Sequence, residues 1–172
     1  MDVLEDLLRP GLLVIFCGTA AGNMSAKVGF PYANPSNRFW QILRDMKLTP
    51  SLVKPDEYRS IAEHGIGITD LAKMTSGMDS KLLASDFSVS QFKKKIAANR
   101  PQVLAFNGKK AASIYLRKPT RDLSYGRYTQ DDEALCIWIL PSTSSAAKRY
   151  WDEAPWRELA KIIRREVGSQ SK

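Results

Sequence analysis

The sequence predicts a three-layer α/β/α sandwich built on a short central parallel sheet of about four strands, formed as one domain over residues 1–172. Three observations predict it. Short apolar runs end in Gly, Asp, Asn or Pro, amphipathic helical patterns separate them, and a chain of 172 residues suits one domain with a core able to fold unaided.

The strands come first. Leu12-Leu13-Val14-Ile15-Phe16, Gly67-Ile68-Thr69, Val103-Leu104-Ala105-Phe106 and Leu135-Cys136-Ile137-Trp138-Ile139-Leu140 are continuous apolar runs of the kind buried parallel strands carry. Between them, Phe39, Leu43 and Met46 share a helical face after Asn37. Val89, Phe92 and Ile96 share another behind Ser88, with Lys93, Lys94 and Lys95 largely outward on a solvated face. Near the C-terminus Pro155 suits a first helical turn, followed by the apolar stripe Trp156, Leu159, Ile163 and Val167. Strands alternating with helices give a parallel sheet covered on both faces.

Composition removes several function classes. Lys and Arg number 26 against 18 Asp and Glu, a net charge of +8 that favours a polyanionic partner. One histidine and two cysteines cannot assemble a Cys/His zinc site or a four-cysteine cluster, so the expected chemistry needs no metal and no cofactor. Cys17 and Cys136 lie inside apolar runs and read as small buried hydrophobes. No apolar run is long enough to cross a bilayer, and Asp2, Glu5 and Asp6 stand where a secretory leader needs cations. These features imply a cytoplasmic protein that is not secreted.

Open parallel sheets bind ligands beyond the carboxyl ends of their strands, where the winding reverses. The polar clusters that follow strands here are Gly18-Thr19-Ala20-Ala21-Gly22, Thr69-Asp70, Asn107-Gly108-Lys109-Lys110 and Pro141-Ser142-Thr143-Ser144-Ser145. Gly18 and Gly22 flank three small residues, a spacing for close backbone approach to a flat or anionic ligand, or for a plain tight turn.

The densest segment is Phe30-Pro31-Tyr32-Ala33-Asn34-Pro35-Ser36-Asn37-Arg38-Phe39-Trp40. Together with Phe16-Cys17-Gly18 and Leu140-Pro141-Ser142-Thr143-Ser144-Ser145 it resembles the mismatch-specific uracil-DNA and thymine-DNA glycosylases of the uracil-DNA glycosylase superfamily. The similarity runs from Leu4 through Trp40 and resumes at Gly65–Leu71, Val103–Ala111 and Ile139–Lys148. It implies a compact α/β/α fold, damaged DNA as partner and hydrolysis of the N-glycosidic bond of a flipped-out base. Flipping is required because that bond is out of reach within the stack, and mispaired bases cost less to extrude.

By that resemblance Tyr32 stacks on the flipped base, unless it is a core or rim tyrosine. Asn34 and Asn37 fall in the base-binding loop, where Asn34 before Pro also suits a turn and Asn37 a helix cap. Asn107 matches the base-reading asparagine of the uracil-specific branch, whose amide donates and accepts at once; the alternative is a turn-forming residue. Thymine-directed relatives carry an apolar residue there, so the chain mixes features of two branches. Ser142, Thr143, Ser144 and Ser145 with Lys148 and Arg149 match the loop that relatives press into the minor groove, or a Ser-rich helix cap. Lys109 and Lys110 are expected to neutralise DNA phosphates.

One departure matters. Mismatch and thymine enzymes read Gly-Ile-Asn-Pro-Gly after the first strand, the Asn holding the attacking water, whereas this chain has Gly18-Thr19-Ala20-Ala21-Gly22. A methyl group at Ala20 cannot orient or deprotonate water. Asp70, expected at the end of the second strand, is the candidate replacement: a carboxylate there can activate water and stabilise positive charge on the sugar. Its other reading is the N-cap of the segment beginning at Leu71. His64, just upstream, reads as structural.

The sequence therefore predicts a monomeric, monofunctional glycosylase that excises uracil, with larger deaminated or etheno-modified bases admitted by the small Ala20 and Ala21. Two rivals stand beside it. One is a catalytically inactive module of the same fold that binds damaged DNA. The other is a flavodoxin-like nucleotide-binding domain, for which no complete phosphate-binding motif is present.

Overall fold

A computed structural model describes residues 1–128 and 135–170. Five strands, β1 (Val14–Ala21), β2 (Ile66–Ser76), β3 (Val103–Asn107), β4 (Gly126–Tyr128) and β5 (Cys136–Leu140), form one sheet in the order β2-β1-β3-β5-β4. The first four in space, β2, β1, β3 and β5, run parallel, as the apolar runs predict. The addition is β4, a three-residue antiparallel edge along β5, too short and polar to stand out as an apolar run.

Helices α1 (Asn23–Val28), α2 (Phe39–Asp45), α3 (Val89–Asn99), α4 (Lys109–Leu116) and α5 (Ala154–Gln170) complete the described regular helices, beside several 3-10 segments. Alternation along β1 sorts the core into two layers. Phe16 meets Phe39 of α2 edge-on at 5.6 Å and stacks on Trp156 of α5 at 5.3 Å. Ile15 and Cys17 turn to the other face, among Phe92 and Ile96 of α3 and Tyr115 of α4. Trp156, Leu159 and Ile163 are buried as the stripe on α5 requires, while the Val167 side chain lies outside those described.

Four expectations need correction. The Gly18–Gly22 loop is mostly strand: β1 continues to Ala21 because β2, at 11 residues, offers pairing partners as far as Ser76. Only Gly22 lies outside, as the extended N-cap of α1. Asp70 sits in the middle of β2 paired with Gly18, which removes the N-cap alternative. Lys95 is not simply solvated, since it binds Asp6, whereas Lys93 is exposed as expected, 4.9 Å from the Tyr115 ring centre. Cys136 is half-buried, at the entry of β5, whereas Cys17 is fully buried.

The winding sets the site. From β1 the chain crosses to β2 on one side and then to β3 on the other, so the strand order reverses between β1 and β3. Their carboxyl ends open the crevice in which α/β sheets bind ligands. The N-terminal segment covers part of the outer edge of β2 through an antiparallel bridge from Leu7 to Ile68.

Candidate active site

Asp70 is the buried carboxylate of the crevice, 8% exposed. It needs a glycine opposite: a β-carbon built on Gly18 would stand 2.4 Å from Asp70 Oδ1, closer than any side chain tolerates. The same point is 3.5 Å from the Tyr32 hydroxyl, so β1, β2 and the loop before α2 converge there. Burial pushes the Asp70 carboxyl up to about 6, against the pull of Lys73 and with the added repulsion of Asp6 and Asp79. At neutral pH Asp70 is mainly ionised and able to accept a proton.

Lys73 is held in turn by Asp6, which accepts from Lys73 Nζ at 2.7 Å, from Lys95 Nζ at 2.5 Å and from Thr69 Oγ1 at 2.7 Å. Burial raises the Asp6 carboxyl, but the two ammonium groups outweigh it and the net shift is downward. This network ties the N-terminal segment and α3 to β2, one pleat from Asp70. Sequence reading missed it, because its members are separated by up to 89 residues. It also missed Asp79, on the turn Asp79–Lys81, whose charge Asp70 feels and whose own carboxyl burial pushes up, against the pull of the Thr19 hydroxyl and of Lys110.

Tyr32 combines a stacked ring with a buried hydroxyl. Its ring lies 3.8 Å from that of Phe39, nearly parallel at 20°, and edge-on to Trp40. The backbone is left-handed at φ 50°, unusual for a non-glycine, and the next residue is anchored by Ala33 N–H donating to the buried Ser25 Oγ. The residue is half-buried and its hydroxyl is buried, with the Asn107 amide and the Asp70 carboxylate as its polar neighbours. Burial first, and the Asp70 charge second, raise the phenol's pKa, so it keeps its proton.

Asn107 ends β3 as its sequence position implies. Its Nδ2 donates to Thr143 Oγ1 at 2.8 Å and its Oδ1 accepts from Thr143 N–H at 3.0 Å. Held in this way the amide has a fixed orientation beside the Tyr32 hydroxyl. Gly108 follows at φ 114°, and a β-carbon there would crowd Ser142 at 3.2 Å. The β3 and β5 ends are thereby brought together.

The remaining candidates divide by what holds them. Asn34 Oδ1 accepts from Ser36 N–H and Ser36 Oγ–H, and Asn37 Oδ1 accepts from Phe39 N–H, so both oxygens serve local turns. Ser36 Oγ also reaches Ser145 Oγ at 3.1 Å, and Arg38 N–H donates to Thr143 carbonyl oxygen at 3.0 Å, fastening the two loops. Ser142 Oγ accepts from Ser144 N–H, and Ser144 Oγ caps the 3-10 helix Ser145–Tyr150 that carries the exposed Lys148 and Arg149. Lys109 and Lys110 stand in the first turn of α4, Lys109 Nζ 4.6 Å from the Tyr125 ring centre. Thr19, Ala20 and Ala21 lie on the last part of β1, with Ala20 half-buried beside Ala72 across the β1–β2 pair. No group of His, Cys, Asp and Glu suited to a metal occurs among the described residues.

A buried carboxylate, a fixed amide and an aromatic ring meet at the switch point of an α/β/α sandwich. The chain belongs to the uracil-DNA glycosylase superfamily, whose family model matches residues 5–163. Membership places it among glycosylase-type proteins that act on DNA. The fold is similar to the solution structure of a candidate uracil DNA glycosylase from Methanosarcina acetivorans: TM-score 0.64, 20% identity, covering 94% of this chain and 95% of that one. Among the described residues no helix is long and apolar enough to cross a membrane.

Proposed function

We propose that the protein is a monofunctional DNA glycosylase that hydrolyses the N-glycosidic bond of a flipped-out uracil and leaves an abasic site. The observation that carries this reading is the buried Asp70, a base of useful strength, in the crevice of a uracil-DNA glycosylase fold that lacks an Asn at position 20. Asp70 takes a proton from the attacking water and its charge stabilises the oxocarbenium character of the sugar. The base leaves as an anion. Hydrogen bonding from the Asn107 amide strengthens as that charge develops.

The Tyr32 ring, backed by Phe39, stacks on the flipped base. The Ser142–Ser145 loop with Lys148 and Arg149 contacts the DNA backbone and the space the base leaves, and Lys109 and Lys110 add charge at the mouth. Small side chains at Ala20 and Ala21 leave room for hypoxanthine or ethenocytosine. If Ala20→Asn leaves the preference among these bases unchanged, the pocket-size argument fails.

The second reading, a non-catalytic module that binds damaged DNA, is favoured by Ala20 alone. Excision from labelled single- and double-stranded oligonucleotides carrying uracil, hypoxanthine or ethenocytosine separates the two. Alkali-cleavable abasic product supports the enzyme; salt-sensitive binding to uracil-containing DNA without product supports the module.

A further inference from the structure

Tyr150 ends the 3-10 helix Ser145–Tyr150 and is 55% exposed. Arg149 lies over its ring, the guanidinium carbon 4.6 Å from the ring centre, and donates to its hydroxyl. No other ring among the described residues meets it. The next residue, Trp151, is the contrast: Arg38 lies 5.0 Å from its ring centre and the Trp156 ring 6.4 Å away, so that indole is packed against the core. Tyr150 is left with an apolar ring in solvent and a cation at its side, the amphipathic form that tyrosines take at binding surfaces.

A second tyrosine belongs to the same patch. Half-buried Tyr125 precedes β4, whose Gly126 pairs with Ile139 near the carboxyl end of β5, and Lys109 Nζ stands 4.6 Å from its ring centre. Burial first, then the charges of Tyr150 and Asp152, push the Tyr125 phenol up, so the two tyrosines lie within electrostatic reach of each other. Asp152 is engaged in accepting from Ala154 N–H, and Lys109, Lys148 and Arg149 outnumber it, which leaves the patch positive. The patch lies at the same end of the sheet as the crevice. From β1 to β4 there are three strand spacings, about 14 Å in all.

We propose that Tyr150 and Tyr125, with Lys109 and Arg149 beside them, form a stacking shelf for an unpaired base of the DNA strand that carries the target, a near neighbour of the nucleotide held in the crevice. The inference rests on the glycosylase reading for what fills the crevice and goes beyond it in making single-stranded DNA a substrate form. Tyr150 receives the base on its open ring, Tyr125 extends the apolar floor, and the cations take the adjoining phosphates. In a duplex both faces of a base are covered by its neighbours, whereas an unpaired base has a face to offer and any base can offer it. An unpaired uracil also reaches the crevice at less cost, because no base pair is broken.

Tyr150→Ala and Tyr150→Phe test this. The probe is an oligonucleotide with one 2′-fluoro-2′-deoxyuridine, whose glycosidic bond resists cleavage, used as a single strand and annealed to its complement at one salt concentration. In a second single strand 2-aminopurine flanks that nucleotide, and its fluorescence is quenched on stacking. The expected result is a loss of at least about fivefold in single-strand affinity for Tyr150→Ala, a clearly smaller loss on the duplex, and single-strand affinity within about twofold of wild type for Tyr150→Phe, which keeps the ring. Quenching of 2-aminopurine accompanies binding to the wild type and is lost in Tyr150→Ala. Unchanged single-strand affinity in Tyr150→Ala overturns the inference. So does an equal loss on single strand and duplex, since the ring then serves paired DNA, and so does a loss in Tyr150→Phe as large as in Tyr150→Ala. Absence of quenching by the wild type overturns it whatever the variants do. Absence of excision from ordinary uracil-containing strands refutes the glycosylase reading alone, because the shelf is read by binding.

Discussion

Gly18 and Asp70 face each other across β1 and β2 so closely that a methyl group on residue 18 would stand 2.4 Å from the Asp70 carboxylate. The glycine is thus a consequence of the buried acid. Gly18→Ala is predicted to push the carboxylate off its position, costing about 1–3 kcal/mol of stability and about 100-fold in excision. Denaturant unfolding and single-turnover kinetics read the two effects separately. An alanine variant with wild-type excision would show that Asp70 is not positioned by this contact.

Asp70 also predicts a pH dependence of stability. Its carboxyl titrates near 6 when folded and near 3.8 when unfolded. Between those values the folded chain holds a proton that the unfolded chain has released, so stability falls as pH rises through this window. Above it the ionised Asp70 costs up to about 3 kcal/mol. Asp70→Asn should therefore be more stable than wild type at pH 7.5 and no more stable at pH 3.5, as urea midpoints at the two pH values will show.

The Asp6 network predicts a shift in the same titration. Asp6 repels the Asp70 charge, and it pairs with Lys73 and Lys95, both of which favour that charge. Asp6→Asn removes the repulsion and frees the two ammonium groups, so all effects lower the Asp70 pKa. The acid limb of the excision rate should move below pH 6, and stability should drop by about 2 kcal/mol, between the values of exposed and buried pairs. An unmoved acid limb would separate the network from the site.

Thr143→Val removes the oxygen that accepts from Asn107 Nδ2. The lost bond in a buried setting is predicted to cost about 1–3 kcal/mol. The freed amide can also turn, so affinity for uracil-containing DNA should fall relative to undamaged DNA. Equal affinities before and after the change would remove Asn107 from base reading.

Lys148 and Arg149 are exposed on the 3-10 helix beside the crevice. If each neutralises one phosphate, replacing both by Gln should reduce the slope of log affinity against log salt by about 2. A slope that does not change would move the DNA-contacting surface elsewhere.

Much of this was legible in the sequence, for physical reasons that differ by residue. The runs at Val14, Val103 and Cys136 are buried on both faces, so their strands stood out, as did Phe39, Leu43 and Met46 on one helical face. Asn107 could be placed because it ends such a run. The course of β1 beyond Gly18 could not, since Thr19, Ala20 and Ala21 carry no strand signal and owe their conformation to pairing with β2. Nor could the Asp6–Lys73–Lys95 network or Asp79 be seen, because long-range ion pairs leave no local pattern. Gly18 reads as a glycine for close approach of a ligand or for a tight turn and is instead one for the close approach of the Asp70 side chain, a distinction that only the position of Asp70 makes.

The central claim is that buried Asp70 activates the water of a glycosylase reaction. It is tested most directly by single-turnover excision from a duplex with one uracil opposite guanine, between pH 5 and 8, by wild type and Asp70→Asn. The account predicts abasic product from the wild type at a rate that rises with pH and levels above about 6. It predicts a loss of at least about 100-fold in Asp70→Asn, with uracil-containing DNA still bound. Equal rates from the two proteins, or a wild-type rate indifferent to pH across that range, would contradict it.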